Sequence, residues 1–131
     1  MRQNDIPNNM VVGNGFGSQA LTSTGTGSAI DFQGCDPEVT AIINVGTATG
    51  TTPTLTLTLT ECDTSNGTFT AIGDFAPAAV TAAGVQVTRS LRRTKRYVQP
   101  VATIAGTSPS FTFGVTLLCD KKSFGANITS N

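Results

Sequence analysis

The stretch Thr52–Glu61, TPTLTLTLTE, sets Leu55, Leu57 and Leu59 in strict alternation with Thr54, Thr56, Thr58 and Thr60. Successive side chains of a strand point to opposite faces, so this pattern describes a strand with one face in a core and one in water. The stretch has a counterpart further along the chain. TATGTTPTLTLTL from Thr47 and TIAGTSPSFTFGV from Thr103 share the pattern T-x-x-G-T-[ST]-P-[ST]-[LF]-T-[LF]-x-[LV] at a constant offset. In both, Gly50 or Gly106 suits a backbone position of positive φ, Pro53 or Pro109 stiffens the loop exit, and an alternating strand follows. The simplest way to bury both apolar faces is to place one such hairpin in each of two facing sheets. Leu55, Leu57 and Leu59 are then expected to look across at Phe111, Phe113 and Val115.

Period two extends outward from this pair. SAIDFQG reads as a short strand closed by Pro37, and EVTAIINVGTAT from Glu38 as a central strand, with Val39, Ala41, Ile43 and Val45 on one face and Ile42 on the other. Asp63–Gly67 reads as a hairpin loop, after which Phe69, Ala71 and Phe75 continue the apolar pattern. APAAVTAAG alone has helical propensity, confined by Pro77 and Gly84 to a turn or two. VQVTRSLRR follows, with Val85, Val87 and Leu91 on one face. YVQPVATIAG is expected at an edge or a bulge because of Pro100, and SPSFTFGVTLLC turns Phe111, Phe113, Val115 and Leu117 inward. These segments predict an all-β fold, an antiparallel β-sandwich or jelly-roll-like domain over residues 28–119. Residues 1–27, rich in Gly, Asn, Ser and Thr, read as an extended N-terminal arm, and 120–131 as a tail without period. GNGFG at Gly13–Gly17 falls in that arm, and the SQALTSTGTGSAI after it cannot supply the helix that a dinucleotide loop requires.

Composition narrows the chemistry. The 131 residues carry eight basic and eight acidic side chains, no histidine and no tryptophan. Without His the usual general base, the commonest zinc ligand and the Ser-His-Asp arrangement are missing. Catalysis would have to rest on carboxylates such as Asp36 with Glu38, or Glu61 with Asp63, and each of these pairs sits at a strand end where such residues serve turns and solvation. No enzymatic role and no cofactor or metal are therefore expected. The zero net charge gives no general attraction to nucleic acid or membrane. The N-terminus shows no charged region followed by an apolar one, so a soluble chain without a secretion signal is expected. Three cysteines, Cys35, Cys62 and Cys119, without C-x-x-C spacing fit buried thiols in a reducing compartment.

Five of the eight basic residues, Arg89, Arg92, Arg93, Lys95 and Arg96, crowd into RSLRRTKR. On a hairpin and its tip they would form a positive knob. Such a knob can guard an edge against strand addition, dock an acidic patch of a partner protein, or touch nucleic acid. The last suffers from the lack of stacking aromatics beyond Tyr97.

Residues from about Ile30 to Lys122 resemble a group of small structural proteins of tailed bacteriophage heads. The resemblance rests on FQG at Phe32, EVTAIINVGTATGTTPTLTLTLTE from Glu38, D-x-x-x-G-T-F-T over Asp63–Thr70, TAAGVQVTRSLRRTKRYV from Thr81 and AGTSPSFTFGVTLLCDKK from Ala105. It implies a capsid decoration, or cement, protein. Such a small β domain binds the major capsid protein on the outer surface of the virion, often as a homotrimer at local three-fold positions, and holds the shell against the pressure of packaged DNA. The resemblance implies assembly in the host cytoplasm and no direct contact with nucleic acid or membrane. The arm and the Arg89–Arg96 knob are the expected contact regions. Other expectations are a head-completion or tail protein of the same fold, and a carbohydrate-binding or adhesin-like β-sandwich, the latter weakened by the lack of aromatic platforms.

Overall fold

The computed structural model describes residues 10–90 and 93–120. Among the described residues seven antiparallel strands make one curled sheet: β1 (Met10–Leu21), β2 (Gly25–Thr26), β3 (Ile30–Asp31), β4 (Val39–Cys62), β5 (Thr70–Ala71), β6 (Gly84–Ser90) and β7 (Tyr97–Asp120). No helix occurs among the described residues, and APAAVTAAG runs as coil whose Val80 bridges Leu55 through two backbone hydrogen bonds of 2.8 and 2.9 Å.

The two repeats lie within β4 and β7, each 24 residues long, and these strands pair with each other from Thr40↔Leu118 to Cys62↔Tyr97. They are thus halves of one ladder, and the expectation of two separate hairpins is corrected. The offset of the repeats makes the ladder nearly two-fold symmetric: Thr47 pairs with Thr112, and their counterparts Thr103 and Thr56 pair with each other. Gly50 (φ 113°) and Gly106 (φ 123°) occupy the middle, followed by Thr52 (φ 47°) and Ser108 (φ 49°). These positive φ values bend the ribbon, and the chain crosses from one layer to the other without reversing. A Cβ on Gly50 would meet Ser108 O at 2.7 Å and one on Gly106 would meet Thr52 O at 2.8 Å, so each glycine admits the other strand's bend.

The first layer holds the first half of β4 and the second half of β7, flanked by β6 and β1. The second holds the remaining halves, flanked by β5, β2 and β3. Leu55, Leu57 and Leu59 enter the core from one layer, Phe111, Phe113 and Val115 from the other, and all six belong to one cluster with Val39, Ala41, Ile43, Val45, Val98, Ile104 and Leu117. The side chains meet as the alternation predicts. One bulge makes this possible: Val45 faces Phe113 and Thr47 faces Thr112, which leaves Gly46 as the extra residue. Without it the register would slip by one and turn Asn44 and Ile42 inward in place of Val45 and Ile43.

Most of the segment read as an arm is part of the fold. β1 pairs with β7 from Met10↔Asp120 to Leu21↔Phe111, with Phe16 buried beside Phe113 at a ring separation of 5.2 Å, and β2 continues along β7. Residues 1–9 lie outside the described residues, as do Leu91, Arg92 and 121–131. The glycines that suggested flexibility serve close packing. Gly13 lies against the Ile30 side chain, a Cβ on Gly15 would clash with the Pro100 ring at 2.7 Å, and Gly27 lies on the Gly15 carbonyl. The Ser28 N–H donates to that carbonyl at 2.8 Å, which closes one side of the sandwich.

Pro100 sits buried in central β7 and not at an edge. Its carbonyl accepts from the Gly27 N–H, and the N–H it lacks would point the same way, into the gap between β2 and β3. The ladder to β4 therefore loses nothing.

Candidate docking surface

The four basic residues of the knob that the structure describes are engaged within the chain. Arg93 stitches two loops: its Nη2 donates to Cys35 O (2.9 Å) and Asp36 O (2.7 Å), its Nη1 to Lys95 O (2.6 Å), and its guanidinium lies 5.7 Å from the Phe32 ring centre. Arg96 forms a two-pronged pair with Asp31, both bonds 2.8 Å, and covers Tyr97. That pairing, with a Gln33 N–H, holds the Asp31 carboxyl at about 2 and raises Arg96 further. Lys95 reaches Asp63 at 3.4 Å and Arg89 reaches Glu38 at 3.2 Å.

Of the carboxylates considered for acid–base work, Glu38 and Asp63 are counterparts of these cations, and Asp36 meets Arg93 through its backbone carbonyl. Glu61, 8% exposed, accepts from the Thr94 N–H (2.8 Å), the Thr94 hydroxyl (3.1 Å) and the Lys95 N–H (3.0 Å), and so caps the turn entering β7. What reads in sequence as a positive knob is locally neutral among the described residues, and its geometry locks the 31–37, 61–63 and 93–97 segments together. Arg92 lies outside them. No group of three or more Cys, Asp or Glu able to hold a metal occurs among the described residues.

A different surface stands out on the outer face of the first layer. In β6 the valine face is the outer one: Val85 and Val87 are 66% and 62% exposed, while Gln86 and Thr88 are half-buried and Ser90 is buried. The polar inner face draws its partners from the connector between β5 and β6, although Gln86 Oε1 stays buried without one. The Ser90 hydroxyl donates to Asp74 at 2.6 Å, and Gln86 Nε2 donates to Ala78 O at 3.0 Å. With inward bonds available, polar side chains occupy the inside and the valines are left in water.

The register continues this face across the layer. Val87 lies beside Ile42, Ile42 beside Thr116, and Thr116 beside Asn14; in the next row Arg89, Thr40, Leu118 and Val12 follow, Val12 being 59% exposed. Where Gly114 stands between Asn44 and β1 the face sinks into a cavity of about 400 Å³, bordered by Asn14, Ile42, Asn44, Thr112 and Thr116. These rows hold apolar and neutral polar groups, with Arg89 already paired at the margin. Exposed valines thus stand at both edges of this face with half-buried Ile42 and Leu118 between them, and exposed apolar groups gathered on one face mark contact surfaces. The sequence carries no sign of it, because alternation fixes that Val85 and Val87 share a face but not which face is inside.

A scan against protein-family models gives no match, and a search of curated protein sequences gives none either. Solved structures do share the fold. The SPBc2 prophage-derived protein YomS is 14% identical, with a TM-score of 0.53 over 86% of this chain and 93% of that one. The structure of infectious bursal disease virus, Gx strain, gives 10% identity and a TM-score of 0.51, covering 89% of this chain and 34% of that one. A weaker likeness, TM-score 0.47 at 15% identity, covers 81% of this chain and 20% of the CBM22-1–GH10 modules of Clostridium thermocellum xylanase 10B complexed with xylohexaose. At these identities the likeness is one of fold.

Proposed function

We propose that this chain is a structural virion protein that binds the outside of a phage capsid and stabilises it, as a decoration or cement protein does. The observation that carries the reading is the outer face of the first layer, where Val12, Val85 and Val87 stand exposed beside Ile42 and Leu118 on a rigid block. A prophage-derived protein and a viral particle among the proteins of like fold support the same reading. The major capsid protein is the proposed partner, three copies around a local three-fold axis the proposed arrangement, and no catalytic step is involved. Contact moves from the Arg89–Arg96 cluster, whose described cations are spent within the chain, to the apolar face. Burying a valine there is worth about 1.5–3 kcal/mol, and repetition over a shell multiplies weak single contacts.

The test is to mix purified protein with heads that lack it and to image the particles. Regular occupancy of the whole lattice supports the proposal, and loss of occupancy on Val85→Asp with Val87→Asp identifies the face. Attachment at one vertex would instead assign the chain to head completion or the tail. The uncharged cavity ringed by Asn14, Asn44, Thr112 and Thr116 favours one second reading, a binder of neutral saccharides. A glycan array reads that directly.

A further inference from the structure

Cys35 and Cys119 come from opposite ends of the domain, and the fold brings their thiols together. Both are buried, 4% and 2% exposed, and neither is in a disulfide. The Cys119 thiol donates to Asp36 O at 3.1 Å, the carbonyl next to Cys35 in the chain, and Asp36 N–H in turn donates to Asp120 O at 2.9 Å. Arg93 fixes the same corner through Cys35 O and Asp36 O, and its Nε is buried without an acceptor. Burial, with the Cys35 thiol as its neighbour, pushes Cys119 up to about 12. Cys62 is apart from them, half-exposed at the 62–67 loop, with its thiol drawn below the usual value by the Thr64 N–H.

We propose that Cys35 and Cys119 are a cross-linking site, oxidised to a disulfide that ties the 32–37 loop to the end of β7. The proposal does not depend on the docking surface. The oxidant is a small-molecule disulfide such as oxidised glutathione. One protein thiolate attacks it and releases one glutathione thiolate; the second protein thiolate then attacks the mixed disulfide and releases the other. One protein S–S bond forms, one glutathione S–S bond breaks, and the two protein protons end on two glutathione thiols. Because a buried thiol of raised pKa attacks slowly, the bond closes readily during folding and slowly in the folded protein.

The experiment refolds the full chain carrying Cys62→Ser in a glutathione redox buffer and in reducing buffer. The expected result is a mass loss of about 2 Da, a single peptide pair linking Cys35 to Cys119, and a melting temperature raised by about 10 °C, as a cross-link enclosing a long loop gives. Cys35→Ala and Cys119→Ala each abolish the mass loss. Should either variant fail to fold, iodoacetamide labelling of the Cys62→Ser protein still counts the thiols. Two labelled thiols after oxidative refolding, or an intermolecular bond in place of the internal one, would overturn the proposal.

Discussion

In the ribbon of β4 and β7, Leu55, Leu57 and Leu59 are buried and the threonines between them face outward; in β6, paired to the same β4, Val85 and Val87 face water and Gln86, Thr88 and Ser90 turn inward. Both regions alternate strictly, so alternation cannot be what separates them. What differs is the supply of partners beneath. Under the ribbon lie only apolar side chains of the opposite layer, where an unpaired hydroxyl would cost about 1–3 kcal/mol. Beneath β6 lie Asp74 and the Ala78 carbonyl, which hold Ser90 and Gln86. In β6 the inward polar face thus finds most of its partners, Gln86 Oε1 excepted, and the apolar face left outside is available for contact.

The comparison can be broken most severely in the ribbon. Leu57→Ala, at a side chain 2% exposed, is expected to cost about 2–5 kcal/mol, read as a lower denaturation midpoint at unchanged m. Gly50→Ala should cost about 1–3 kcal/mol, because φ 113° is unfavourable for a side chain and its Cβ would press on the Ser108–Pro109 backbone. A smaller effect follows from Asp31. Its folded pKa, lowered to about 2 by the Arg96 pairing from the ordinary aspartate 3.8, means that this pairing stabilises fully above about pH 4 and is lost as pH falls through 2. Since the Asp31 side chain is 44% exposed, solvent screening holds this below about 1 kcal/mol, measurable as a flattened acid transition in Asp31→Asn. The smallest effect on stability belongs to Val87→Thr in β6, within about 0.5 kcal/mol by thermal melting. Its attachment to heads should nevertheless weaken several-fold; equal attachment would remove β6 from the docking face.

The all-β fold, the facing of Leu55–Leu59 and Phe111–Val115, and the buried face of Val39–Val45 were legible because period two is a local property of the chain. The path of the strands was not. Positive φ at Gly50 and Gly106 reads equally as a reversing turn or as a bend, and only the pairing of Thr51 with Thr107 across the ribbon decides for the bend. β1 escaped notice because its glycines, which look like flexibility, are required by Ile30 and Pro100, residues distant in sequence. The candidate site was less legible still. Counting cations over RSLRRTKR shows their density, whereas Asp31, Glu38 and Asp63, which neutralise three of them, arrive from elsewhere in the chain.

The near-symmetric ladder of β4 and β7 also dictates how the chain can reach this state. Its innermost rung, Cys62↔Tyr97, encloses the shortest loop, and most further rungs out to Thr40↔Leu118 lengthen the enclosed loop by only two residues. Closure entropy grows slowly with loop length, so the main cost falls on the first rung and the rest can zip from it, with a pause where the bends must form. β1 can add only after the far half of β7 is in place. Folding should therefore run from the Glu61-capped turn outward and finish at the chain's own beginning, with φ-values high near Leu59 and low near Phe16.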